Sequence, residues 1–82
     1  MQLVLRTQID GLFEGYEPGR VYRLSNGQWW RQLCLTSQYV FSEDPNVRLL
    51  HDGARYYLQV EGTLGYVRVE LAHSIRMSRP RE

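Results

Sequence analysis

The chain has 82 residues, 43% of them hydrophobic and 23% charged, and a net charge of +1 at neutral pH. That length holds one domain and excludes a second, and so small a charge exerts no long-range pull on nucleic acid or membrane. A single cysteine, Cys34, excludes an internal disulfide, and no Cys/His set has zinc-ligand spacing.

A domain of this size buries only roughly 60–65% of its unfolded surface and is marginal alone, so a compact barrel or self-association is expected. All ten basic residues are arginine, each a planar donor suited to stacking and bidentate pairing. No apolar run approaches the ~18 residues of a transmembrane helix. Met1 to Arg6 lacks the basic start and apolar core of a signal peptide. These features predict a soluble, cytoplasmic protein with no membrane partner.

Turn signals recur along the chain: Asp10-Gly11, Glu17-Pro18-Gly19, Asn26-Gly27, Asp44-Pro45-Asn46, Asp52-Gly53 and the Gly62 to Gly65 stretch. The segments between them alternate with period two, which predicts five or six strands and no substantial helix. Leu3 to Ile9 places Leu3, Leu5, Thr7 and Ile9 on one face; a short helix is the weaker alternative. Leu12 to Tyr16 is a brief strand with a bulge or bend at Gly15.

Arg20 to Ser25 and Gln28 to Leu33 flank Asn26-Gly27, a strong short hairpin signal. A two-residue loop sets Leu24 opposite Trp29 and Arg23 opposite Trp30. Tyr22, Leu24, Trp29 and Arg31 then share one face, with Tyr22, Leu24 and Trp29 in the core and Arg31 at the rim. Val21, Arg23, Trp30 and Gln32 share the other, with Arg23 against the Trp30 ring. A longer loop exchanges the two faces.

Downstream, Gln38 to Ser42 is an aromatic strand, and Val47 and Leu49 share a face of the next. Ala54 to Glu61 turns Tyr56, Leu58 and Val60 inward and Arg55, Tyr57, Gln59 and Glu61 outward. Tyr66 to Leu71 turns Val67, Val69 and Leu71 inward and Tyr66, Arg68 and Glu70 outward. One domain over residues 1–77 and a frayed tail over 78–82 complete the expectation.

Two stretches carry a resemblance: Ile9-Asp10-Gly11-Leu12-Phe13-Glu14-Gly15-Tyr16, and Val21 through Gln32 with its Asn26-Gly27-Gln28-Trp29-Trp30-Arg31-Gln32 hairpin. Tyr39-Val40-Phe41, Pro45 to Leu49, Leu58 to Gly62 and Val67-Arg68-Val69 extend it over most of the chain. This pattern resembles a family of small uncharacterised bacterial proteins, found on chromosomes and among mobile gene cassettes such as those of integrons. The resemblance implies an all-β fold, a small five- or six-stranded antiparallel SH3-like barrel, and brings no activity. The chain departs from the pattern at Tyr16, where tryptophan is expected, and at Glu70, where a second basic residue is common.

The sequence offers little for catalysis. His51 beside Asp52 is the only conceivable His–carboxylate pair, and its plain reading is a surface turn. Cys34 lies in apolar Leu33-Cys34-Leu35 and reads as a small buried hydrophobe. The glycines at 11, 15 and 19 lack the Lys-Ser/Thr of a phosphate loop. No catalytic residue, cofactor or metal is expected.

The aromatic–arginine surface is the stronger candidate. Arg23, Trp30, Gln32, Arg55, Tyr57, Tyr66 and Arg68 are expected on outer faces, and Trp, Tyr and Arg are enriched at protein interfaces. They predict a non-catalytic module that self-associates or binds another protein. Single-stranded nucleic acid is the alternative partner, disfavoured by the near-neutral charge.

Overall fold

The computed structural model describes residues 1–74, so the expected tail over 78–82 lies outside the described residues. The described residues are all strand, turn and loop. The strands are β1 (Gln2–Gln8), β2 (Leu12–Tyr16), β3 (Val21–Arg23), β4 (Gln28–Gln32), β5 (Gln38–Glu43), β6 (Asn46–Asp52), β7 (Arg55–Val60) and β8 (Val67–Ser74). All pairings are antiparallel.

Eight strands form, not five or six, because each of the period-two segments between the turn signals pairs as a strand of its own. β1 pairs with β6, whereas β2 leaves that sheet and pairs with β5. Both runs therefore change sheet together, as strands do at the corners of orthogonally packed sheets. The corner is stitched on both sides. The Gly11 amide donates to Asp44 Oδ1 at 2.7 Å, and the Asp44 amide donates to the Gly11 carbonyl at 2.9 Å. Asp44 takes a left-handed φ of 49°, a conformation Asp tolerates better than most residues.

The larger sheet runs β1-β6-β7-β8-β4-β3, and β2-β5 is the smaller one. The two edges of the larger sheet meet at an Ile9–Leu24 bridge. There the Asp10 amide donates to the Arg23 carbonyl and the Ser25 amide to the Gln8 carbonyl, each at 2.8 Å. The contact is local, and no continuous ladder closes the sheet into a barrel.

The central hairpin has a three-residue loop. The Leu24 amide donates to the Gln28 carbonyl at 2.8 Å, and the Gly27 amide to the Leu24 carbonyl at 3.0 Å. Only Gly27, at φ 93°, has a positive φ in this loop, whereas a type I′ turn requires one at both central residues. Asn26 instead accepts from the Gln28 amide through Oδ1 at 3.0 Å and donates through Nδ2 to Gln28 Oε1 at 3.1 Å. The pairs are consequently Arg23 with Trp29, Tyr22 with Trp30 and Val21 with Arg31. The faces expected for β3 hold, with Tyr22 and Leu24 inward and Arg23 outward, whereas those expected for β4 are exchanged. Tyr22, Leu24, Trp30 and Gln32 are buried, while Arg23 and Arg31 are exposed.

Elsewhere the alternation holds, with local exceptions. Val47, Leu49, Leu58, Val60, Val67 and Val69 are buried as expected. Leu3 is exposed because a bulge between Leu3 and Leu5 turns it outward, opposite Leu50. Leu71, expected inward, is half-exposed because β7 pairing with β8 ends at Tyr56–Val69 and leaves it uncovered.

The expected bulge at Gly15 is present as a register shift between Phe13 and Gly15. Gly15 has φ 114°, and a Cβ there would lie 1.9 Å from the Gln38 carbonyl oxygen. Strain at such a φ and a clash with backbone each cost about 1–3 kcal/mol. Gly15→Ala is therefore expected to lose about 3 kcal/mol or more of stability, read as a lowered urea midpoint at unchanged slope.

Candidate functional site

The seven residues expected at the binding surface fall into three places. Trp30 and Gln32 are corrected to the core, at 4% and 1% exposure, because the three-residue loop turns their side of β4 inward. Arg23 is on the surface but apart from the others. It lies over Trp29, 5.7 Å from the ring centroid, rather than over Trp30, and pairs with Asp10 at 3.4 Å. Trp29 also meets the His73 ring edge-on at 5.6 Å. Its Nε1 is buried without a hydrogen-bond partner among the described residues.

Gln32 is a structural hub. Its Oε1 accepts from the Tyr22 hydroxyl at 2.5 Å and from the Glu17 amide at 3.0 Å. Its Nε2 donates to the Cys34 and Thr36 carbonyls at 3.0 and 2.7 Å. A buried carboxamide so fully satisfied orders the loop that follows β4. Burial pushes the Tyr22 phenol up to about 12, against the pull of the Glu17 amide and Arg20.

Arg55, Tyr57, Tyr66 and Arg68 do come together. The outward positions of β7 and β8 alternate correctly, and the ladder sets Tyr57 opposite Arg68. The Tyr57 and Tyr66 rings meet edge-on with centroids 5.2 Å apart. Leu50 lies opposite Tyr57 on the other side, which extends the band across β6 to Leu3. Among the described residues, neither Arg55 nor Arg68 has a carboxylate at salt-bridge distance. Arg31, one strand further, is paired with Glu70 at 3.2 Å.

Two surface features escaped the sequence reading. Arg6 and Arg48 sit directly opposite each other on β1 and β6, a pairing that alternation along one strand does not reveal. On β5, Tyr39 and Phe41 are exposed and pack together at 5.1 Å. Leu64 lies close by, its backbone clamped by the Gln38 carboxamide at 2.7 and 3.1 Å. The expectation of an aromatic strand was the available signal, but not that its rings face outward.

The remaining candidates stay apart. His51 stacks on Tyr56 with centroids 4.5 Å apart and has no carboxylate at salt-bridge distance among the described residues. As a strand neighbour, Asp52 projects to the other side. The Cys34 thiol is half-buried and donates to Thr36 Oγ1 at 3.6 Å. Its partial burial raises the pKa, but hydrogen bonding with Thr36 and with the backbone of Arg68 and of Cys34 itself together outweighs this and lowers it. No cluster of three or more His, Cys, Asp or Glu side chains occurs among the described residues. No helix among them is long and apolar enough to cross a membrane.

Comparison of the chain with protein-family models, curated proteins and solved structures finds no match.

Two outcomes follow from the Gln32–Tyr22 arrangement. Gln32→Leu leaves the buried Tyr22 hydroxyl proton without its acceptor and frees two part-buried carbonyls, at about 1–3 kcal/mol for an orphaned buried group; chemical denaturation is expected to show a loss of about 2 kcal/mol or more. For Tyr22, both folded and unfolded chains keep the phenolic proton below pH 10. Between pH 10 and about 12 only the unfolded chain releases it, so stability falls as pH rises through that window. Melting curves of Tyr22→Phe across this range are expected to fall less steeply than those of the parent.

Proposed function

We propose that the chain is a non-catalytic interaction module, a small SH3-like barrel that self-associates or binds another protein through its outer sheet face. The observation that carries this reading is the Tyr57–Tyr66 pair, 5.2 Å apart, beside Arg55 and Arg68 with no carboxylate at salt-bridge distance among the described residues. Aromatic rings next to uncommitted guanidinium groups are the residue types that dominate interface energetics. Leu50 and Leu3 add apolar area along the same band.

The sheet bend and the meeting of its edges at Ile9–Leu24 support the barrel description. Membership of the cassette-protein family rests on the Asn26-Gly27-Gln28-Trp29-Trp30-Arg31-Gln32 hairpin and on Gly11 through Tyr16. A protein partner ranks before nucleic acid because of Tyr39 and Phe41. They expose apolar rings on a strand with no basic residue, where a phosphate backbone finds no counter-charge.

Sedimentation velocity across the micromolar range tests the self-association arm. Concentration-dependent growth in the parent, abolished by Tyr57→Ala together with Arg68→Glu while the fold is retained, is the expected result. A strict monomer at every concentration eliminates self-association. The nucleic-acid reading is favoured by the uncommitted arginines beside Tyr57 and Tyr66, since bases stack on such rings. It predicts binding of single-stranded RNA or DNA that weakens with salt, and fails if low-salt titration shows none.

A further inference from the structure

We propose that Arg6 and Arg48 form a binding site for a phosphate dianion carried by a small polar molecule. The site lies on the same outer sheet face as the Tyr57–Tyr66 pair but nearer the Gly62 turn, and it does not rest on that reading.

The antiparallel β1–β6 ladder places Arg6 and Arg48 directly opposite each other. Leu5 pairs with Leu49 and Thr7 with Val47 on either side. Leu49 and Val47 are buried, so both arginines lie on the outer face. Like charges directly opposite in an antiparallel pair oppose folding. Arg20, Arg23 and Arg31 each have a carboxylate partner; Arg6 and Arg48 have none among the described residues. The chain thus sets two positive charges together and places no negative charge between them.

Nearby groups are arranged to leave those charges available. Arg48 donates through Nη2 to Gln59 Oε1, a neutral acceptor that holds the guanidinium while its other N–H groups remain free. Glu61 lines the same opening, but its Oε1 is held by Asn46, from the amide at 3.4 Å and from Nδ2 at 3.1 Å. The two guanidinium groups outnumber it.

Arg6, Arg48, Asn46, Gln59, Gly62 and Thr63 border an open groove of about 460 Å³. Paired guanidinium forks match the planar, multi-acceptor geometry of phosphate oxygens, and a dianion cancels both charges at once. The groove has room for more than the ion. Its walls carry amides, two threonine hydroxyls, the Glu61 carboxylate and two valines, and no aromatic ring, so the appended group is small and hydroxyl-bearing, as in a polyol or sugar phosphate.

Thermal melts and amide chemical-shift titrations of the whole chain test this, with inorganic phosphate, glycerol phosphate and chloride at matched ionic strength. Both phosphates are expected to raise Tm where chloride does not. Shifts should centre on Arg6, Arg48 and the Gly62–Thr63 turn, with glycerol phosphate binding more tightly. Arg48→Gln is expected to weaken phosphate binding about tenfold or more, the loss of a charge-assisted contact. The same variant should melt higher than the parent without phosphate, because the like-charge pair is gone. Phosphate effects no larger than those of chloride, or undiminished in Arg6→Gln/Arg48→Gln, would overturn the site. Equal binding of glycerol phosphate and inorganic phosphate would overturn the polar-ester part.

Discussion

The hydrogen bond from the Leu24 amide to the Gln28 carbonyl closes the central hairpin around three residues, and both faces of β3 and β4 depend on that closure. Side chains on a strand alternate strictly, so one more residue in the loop moves every side chain of β4 to the opposite side relative to β3. Here the loop sends Trp30 and Gln32 inward and turns Trp29 and Arg31 to the side that Arg23 already occupies. Gln32 then reaches Tyr22, Glu17 and the carbonyls of Cys34 and Thr36, which ties the hairpin to the loop leading to β5. A buried tryptophan and a buried carboxamide stand on one side of a single strand, one filling volume and the other ordering backbone.

The second constraint is the shared corner where β1–β2 and β5–β6 change sheet. Gly15 brings β2 so close to β5 that no Cβ fits against Gln38. Tyr16, next to it, spans the interior. Its hydroxyl accepts from the Val60 amide at 3.0 Å and from Thr63 Oγ1 at 2.8 Å, linking the small sheet to the end of β7. Burial raises the pKa of this phenol despite the Thr63 and Val60 hydrogen bonds, as befits a neutral group used as a cross-link. A chain with no disulfide obtains its inter-sheet connection from a tyrosine.

Charge is distributed less evenly than its total suggests. A net charge of +1 coexists with a face where Arg6, Arg48, Arg55 and Arg68 have no carboxylate at salt-bridge distance among the described residues. Arg20, Arg23 and Arg31 take up partners elsewhere. Exposed pairs of that kind contribute little stability, about 0–1 kcal/mol each. Their larger effect is to settle which arginines remain uncommitted. Those left over lie beside the Tyr57–Tyr66 band or above the Gly62 turn, and both functional proposals draw on them.

Strand character, the bulge at Gly15 and the outward set Arg55, Tyr57, Tyr66 and Arg68 were determined by the sequence alone, because period-two alternation and glycine placement act locally. The hairpin loop was not determined by Asn26-Gly27. The same dipeptide serves a two-residue I′ turn or a three-residue turn with a glycine bulge, and the choice depends on what each face packs against. Trp29 and Trp30 are chemically identical in the sequence; only the volume enclosed by Tyr22, Leu24 and Tyr56 decides that Trp30 is the buried one. The opposition of Arg6 and Arg48, and the outward turn of Tyr39 and Phe41, likewise belong to tertiary structure. They arise from pairing between strands distant in the chain, which no single strand's pattern encodes.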